Sequence, residues 1–168
     1  MPSPIRRLSP RSRWLLVGVA ALLPLVLAAS GAQAAACKKV SGAFTLTPVS
    51  GPACTSAVGI CASGVYKGGI KATSAFTGSS LLQTVDTPTT SAIVLTGDNQ
   101  FSISGGDTLS TKDAIVLRTT GAGEFAEVDT VVGGTGPLAG TTGVLRAQGT
   151  FNASTGGSGE YVGELCTP

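Results

Sequence analysis

Residues 144–165, with the sequence VLRAQGTFNASTGGSGEYVGEL, decide the fold. In the first half, Leu145 and Ala147 alternate with Arg146 and Gln148. Successive side chains of a β-strand point to opposite faces, so this alternation indicates a strand with one apolar and one polar face. The second half alternates in the same way. Two such strands fit an antiparallel sheet better than a parallel sheet that is buried on both faces.

The same pattern recurs along the rest of the chain. Short apolar or β-branched runs are separated by small and polar residues, and 24 of the 168 residues are glycine. No apolar stripe of helical period extends over three turns. The pattern predicts eight or nine strands, at 39–47, 57–62, 65–76 (either continuous or broken at the glycines 68 and 69), 81–85, 91–103, 109–119, 124–132, 144–151 and 159–165. We therefore predict an all-β fold, an eight-stranded antiparallel β-barrel.

The N-terminus has the three parts of a cleavable signal peptide. Four arginines lie within the first 13 residues, 14–29 are uncharged and 32–34 read Ala-Gln-Ala. A membrane anchor would need ~20 apolar residues, and Pro24 interrupts this shorter stretch. A twin-arginine signal and a lipidated Cys37 are less well matched. We predict a signal peptide over 1–34 and a barrel domain over 35–168, in a secreted, periplasmic or extracellular protein.

Cleavage changes the charge and limits the partners. Of 11 basic residues, 11 − 4 = 7 remain against nine acidic ones, so the net charge becomes −2. That composition provides no basic patch for nucleic acid. Histidine is absent, which excludes histidine metal sites and Ser-His-Asp triads. We expect no nucleic acid partner and no stable membrane span after cleavage.

Four cysteines, Cys37, Cys54, Cys61 and Cys166, remain after cleavage. In an exported chain an even number indicates disulfides, and four cysteines allow three pairings. We prefer Cys54–Cys61 with Cys37–Cys166, because the second pair would connect the first and last strands. A four-cysteine metal site is the alternative, but the spacing contains no C-x₂-C pair. We expect no metal.

Residues 131–140, VVGGTGPLAG, form the most distinctive stretch. A strand that leads into a Gly-rich loop can bind a nucleotide, but a dinucleotide fold needs a helix after the loop. Only 168 − 140 = 28 residues follow Gly140, and they have the pattern of two strands. We predict a tight connection between strands, with no nucleotide and no cofactor.

Within residues 131–145, VVGGTGPLAGTTGVL is similar to the GGTG-x-(F/L)-AG-x-TG signature of the allene oxide cyclase/dirigent-like β-barrel superfamily. Residues 146–151 and 159–163 resemble the last hairpin of that family. The resemblance implies an eight-stranded antiparallel barrel, often a homo-oligomer, with a cavity suited to small apolar molecules. Plant members cyclise an oxygenated fatty-acid derivative or direct the coupling of phenoxy radicals. Their catalytic residues do not map onto this sequence one by one, so the catalytic residues stay unassigned.

Glu127 and Asp129 are two residues apart in a predicted strand and therefore share a face. A carboxylate pair can carry out acid–base chemistry or hold a cation. Polar residues that alternate along a strand more often form its solvated face, and that is the competing interpretation.

Arg146, Arg118, Tyr66 and Tyr161 are further candidates within predicted strands. An arginine could bind a substrate carboxylate, although a surface charge or an ion pair is the commoner role. A tyrosine could donate a proton or form a pocket wall, although packing is commoner. The candidate ligand-binding residues are Arg146, Glu127, Tyr66 and Tyr161.

Three functions are compatible with these features. The first is the binding of a small apolar molecule in the barrel cavity. The second is an isomerase or cyclase of the allene oxide cyclase type, which can act through shape, desolvation and a few polar groups. The third is a non-catalytic structural or surface-interaction protein with a fully packed interior. The volume of the cavity distinguishes the third from the other two.

Overall fold

The computed structural model describes residues 36–83 and 91–168. The predicted signal peptide at 1–34 lies outside the described residues. Within the described part of the chain, no helix has the length and apolar character needed to cross a membrane.

The described residues form eight strands, and each pairs with its neighbours in the chain in antiparallel fashion. The last strand pairs with the first, which closes the sheet into a barrel. The strands are β1 (Ala36–Val49), β2 (Cys61–Gly68), β3 (Ala72–Gln83), β4 (Ala92–Ile103), β5 (Thr108–Arg118), β6 (Glu124–Gly134), β7 (Thr142–Asn152) and β8 (Gly156–Thr167). The predicted eight-stranded antiparallel barrel is confirmed.

One strand prediction is wrong. Residues 57–62 form mainly a loop, and β2 begins only at the end of this stretch. The Ser56 hydroxyl accepts hydrogen bonds from the backbone N–H groups of Val58 and Ile60, both at 3.1 Å, and donates one to the Gly78 carbonyl at 2.7 Å. These bonds satisfy backbone groups that a strand would otherwise pair, so the loop is stable without a ladder.

The predicted strand 65–76 is two strands, β2 and β3, which separate at the two glycines. Gly68 has a φ of +103°, and a Cβ there would lie 2.6 Å from the Ser41 carbonyl oxygen. Only glycine fits this turn. Of the predicted strand 81–85, the first three residues form the end of β3, and the last two lie outside the described residues.

The Gly-rich loop connects β6 and β7, as predicted. A short 3₁₀ helix, Gly136–Leu138, lies between the two strands. Gly136 has a φ of +55°, where other residues are strained. Leu138 packs against the core and contributes to closing this end of the barrel.

Side chains alternate between the barrel interior and the outer surface. The inward-facing side chains are mainly apolar, and their burial drives closure. One large cluster contains Val40, Phe44, Tyr66, Ile70, Ala72, Phe101, Leu109, Phe125, Val131, Leu145, Ala147 and Tyr161. A smaller cluster contains Ala62, Phe76 and Leu95.

Both preferred disulfides are present. Cys37–Cys166 connects β1 to β8 at directly opposed positions, and Cys54–Cys61 closes the loop before β2. The first bond therefore fastens the seam where the barrel closes. Two disulfides are consistent with an oxidising compartment.

Candidate ligand-binding site

An apolar pocket of about 50 Å³ lies inside one end of the barrel. It is at the end where β1, β5 and β7 finish and β2 and β6 begin. Its apolar walls are formed by Leu46, Ile60, Ala62, Phe76, Leu95, Ile115, Leu117, Phe125 and Phe151. Side chains of both hydrophobic clusters therefore line the space at this end of the barrel.

Three polar residues, Tyr66, Asn99 and Glu127, complete the lining of the pocket. Each lies further along its strand, toward the middle of the barrel, than the apolar lining residue of the same strand, such as Phe125 before Glu127. We call these three residues the pocket floor. A ligand that enters from the barrel end therefore meets apolar walls first and polar groups last.

Behind the floor lies a cluster of buried carboxyl groups. Asp113 and Asp129 are directly opposed on β5 and β6, and Glu127 is two residues before Asp129. We call Asp113, Glu127 and Asp129 the acidic triad; their side chains are 3%, 9% and 1% exposed, and their oxygens lie within 4.8 Å of one another. The Thr111 hydroxyl donates a hydrogen bond of 2.5 Å to Asp113 Oδ1.

No basic side chain of the described residues lies near the triad in the barrel interior. All seven are exposed to solvent, namely Lys38, Lys39, Lys67, Lys71, Lys112, Arg118 and Arg146. Two of them form exposed ion pairs, Lys112 with Asp98 and Arg118 with Glu124. The triad is therefore not neutralised by the protein's own cations.

Burial raises the pKa of all three carboxyl groups. The pKa of Asp129 rises to about 7, through burial and the charge of Asp113. The pKa of Asp113 rises to about 6, mainly through burial, although the hydrogen bond from Thr111 opposes the shift. The pKa of Glu127 lies well above its ordinary range because of burial and the two neighbouring aspartates. Burial and the charge of Glu127 also raise the pKa of Tyr66.

Three buried oxygens near the floor accept no hydrogen bond from the described residues. They are Asn99 Oδ1, Asp113 Oδ2 and Asp129 Oδ1. An unsatisfied buried polar group costs about 1–3 kcal/mol. These atoms therefore favour a partner that brings hydrogen-bond donors or positive charge.

The spacing of the triad is also within the range for a shared metal ion. An all-oxygen donor set suits a hard cation such as Ca²⁺ or Mg²⁺. The sequence-based expectation of no metal stays a prediction.

The structure brings some of the sequence-predicted site residues together and separates others. Glu127 and Tyr66 both line the pocket. Tyr161 points inward but belongs to the packed core, where its hydroxyl accepts a 2.7 Å hydrogen bond from the Ile70 N–H. Arg146 is exposed on the outer face of β7, away from the other three.

Sequence reasoning missed Asn99 and Asp113. Asp113 is on the same face of β5 as the apolar residues Leu109 and Ile115, and Asn99 shares a face with Phe101 on β4. The alternation of these strands was the signal that could have found them. Both were overlooked because a polar residue in a strand is more commonly solvated.

Comparison with known proteins gives similarity to solved structures alone. No family model matches the sequence, and no curated protein matches it. Among solved structures, the chain is similar to a dirigent protein, a pterocarpan synthase. The two chains share 16% sequence identity with a TM-score of 0.44, over 80% of this chain and 86% of that one. Similarity at this level carries no functional conclusion.

Proposed function

We propose that this protein is a secreted barrel that binds a small apolar molecule in its pocket. The observation that carries the proposal is the apolar pocket of about 50 Å³ with a polar floor. Ligand sites commonly combine apolar walls with a few placed polar groups. An apolar cavity of about 150 Å³ holds benzene, so this smaller space encloses only a few carbons of an apolar ligand, such as one end of an alkyl chain.

Native mass spectrometry of the protein purified from its own source tests the proposal. We expect a stoichiometric small molecule that is released on denaturation, and the same spectrum reports the oligomeric state. Ala62→Leu should abolish binding, because the larger side chain enters the pocket. Ala126→Leu is the matched control, since Ala126 is exposed on the outer face of β6. Unchanged binding by Ala62→Leu would count against this pocket.

An isomerase or cyclase is the second candidate, and the position of Glu127 favours it. Its carboxyl group lies at the floor of an apolar pocket, where it can contact a bound substrate. Any ligand recovered from the protein can be incubated with it and analysed for an isomeric product. Conversion that is lost in Glu127→Gln, with binding retained, would establish an enzyme. The pocket counts against the third candidate, a barrel with a fully packed interior.

A further inference from the structure

We infer that the pocket selects ligands whose narrow apolar chain ends in a protonated amine, and rejects the corresponding carboxylates. This inference rests on the proposed function and adds the chemical class of the ligand. It is carried by the hydrogen-bonding character of the floor and by the distribution of charge around it.

The floor offers acceptors that lack donors. Asn99 is 6% exposed, lines the pocket, and its Oδ1 accepts no hydrogen bond from the described residues. Glu127 lies on the same floor and presents carboxyl oxygens. A primary ammonium group carries three donors and no acceptor, whereas a carboxylate carries acceptors only. An amine therefore satisfies this floor, and a carboxylate leaves it with more unpaired acceptors.

The charge around the floor has one sign. Glu127 belongs to the acidic triad, and the other two members, Asp113 and Asp129, lie within 4.8 Å of it. Every basic side chain of the described residues is exposed to solvent. A cation bound at the floor would stabilise the ionised carboxylates, whereas an anion would be repelled in a site that water screens poorly.

The shape of the pocket sets the rest of the ligand. The apolar walls include three phenylalanines and several aliphatic side chains around a narrow space. A space of about 50 Å³ encloses only the carbons next to the head group, and their burial contributes to the affinity of every ligand with the same chain. The head group therefore determines selectivity among ligands of equal chain length.

Three probes with one chain length test the inference: hexylamine, hexanol and hexanoate. At neutral pH the amine is protonated and the acid is ionised. Titration of the full-length protein can be followed by calorimetry in a buffer with EDTA, so that no metal ion competes for the triad. We expect the amine to bind at least tenfold more tightly than the alcohol, with no measurable binding of hexanoate.

Two variants locate the effect at the floor. Glu127→Gln and Asn99→Leu should each reduce the affinity for hexylamine at least fivefold and leave the affinity for hexanol within about twofold. Glu160→Gln is the matched control, because Glu160 is an exposed carboxylate on β8. Thermal unfolding of each variant establishes that it is folded before it is titrated.

The outcomes separate the inference from the proposed function. Equal affinity for the three probes, or a preference for hexanoate, would overturn the inference and leave the binding function in place. If Glu127→Gln binds hexylamine as tightly as the parent protein does, the role of the floor is overturned. No binding of any probe, together with no ligand recovered from the native protein, would overturn both.

Discussion

At the scale of single residues, the Tyr161 hydroxyl has a structural function in the core. Its side chain is 1% exposed, and its oxygen accepts a hydrogen bond from the Ile70 N–H and donates toward the carbonyls of Lys67 and Ile70. Ile70 lies in the turn between β2 and β3 and Lys67 is near the end of β2, so this hydroxyl connects the turn to β8. We expect Tyr161→Phe to lower the free energy of unfolding by about 1–3 kcal/mol, measured by urea denaturation.

Tyr66→Phe is the matched control for this prediction. Tyr66 is also a buried tyrosine, but the described residues give its hydroxyl no hydrogen bond comparable to that of Tyr161. Its removal should therefore cost less than 1 kcal/mol, within the usual range for an unbonded group. If both variants lose the same stability, the hydrogen bond to Ile70 is not the cause.

The side chains of the site show what a single sequence can and cannot predict. Strict alternation placed Arg146 and Leu145 on opposite faces, and the structure agrees. The sequence EFAEVDTVV of β6 does not show which face is buried, because both faces contain apolar residues, such as Val128 on one and Phe125 on the other, beside Asp129. Either face could have pointed inward. The burial of Asp113 and Asp129, which are opposed across β5 and β6, shows that the acidic face is inside.

At the scale of elements, the pairing of β1 with β8 closes the barrel. These two strands are furthest apart in the sequence, so their association has the largest loop-closure cost. Cys37–Cys166 fastens this seam, with 129 residues of sequence separation, whereas Cys54–Cys61 spans seven. The seam disulfide should therefore contribute more to stability than the local one.

Paired alanine variants test the contribution of each disulfide. We expect Cys37→Ala with Cys166→Ala to lose about 5 kcal/mol of unfolding free energy, and Cys54→Ala with Cys61→Ala about 2–3 kcal/mol. The difference arises because the longer loop restricts the unfolded chain more strongly. Chemical denaturation of both double variants measures it. Equal losses would mean that restriction of the unfolded chain is not the main contribution.

The strands themselves were largely predictable, because alternation and glycine positions act locally. The start of β2 was not predictable. The Ser56 hydroxyl forms hydrogen bonds with the backbone of Val58, Ile60 and the distant Gly78, and these bonds hold most of 57–62 as a loop. A run of apolar and β-branched residues predicts a strand, and the sequence does not show that a side chain will satisfy its backbone N–H groups instead. That contact depends on β3 lying beside the loop, which is a property of the folded barrel.

At the scale of the whole molecule, charge is divided between the inside and the outside of the barrel. The basic residues of the described chain are exposed, and three carboxyl groups are buried. Because folding removes these carboxyl groups from water, their raised pKa values couple protonation to stability. The buried carboxyl groups therefore lower the stability of the barrel when they are ionised. Strongly shifted pKa values of this kind are common at functional sites.

This coupling predicts that stability falls as the pH rises. The pKa values of Asp113 and Asp129 are raised from 3.8 in their ordinary state to about 6 and about 7 in the fold. Between these limits the folded protein holds more protons than the unfolded chain, so each step upward in pH favours unfolding. We expect a loss of several kcal/mol between about pH 4 and about pH 8, since each unit of pKa shift corresponds to about 1.4 kcal/mol.

Thermal unfolding across this pH range, with Asp129→Asn beside the parent protein, tests the prediction. The variant removes one buried charge, so its Tm should be higher than that of the parent at about pH 8 and should depend less on pH. The dependence should persist in high salt, because buried charges are screened much less than exposed ones. Glu160→Gln, which alters an exposed carboxylate, should retain the full dependence. A parent protein that becomes more stable as the pH rises would show that the triad is already neutralised, by a bound cation rather than by protons.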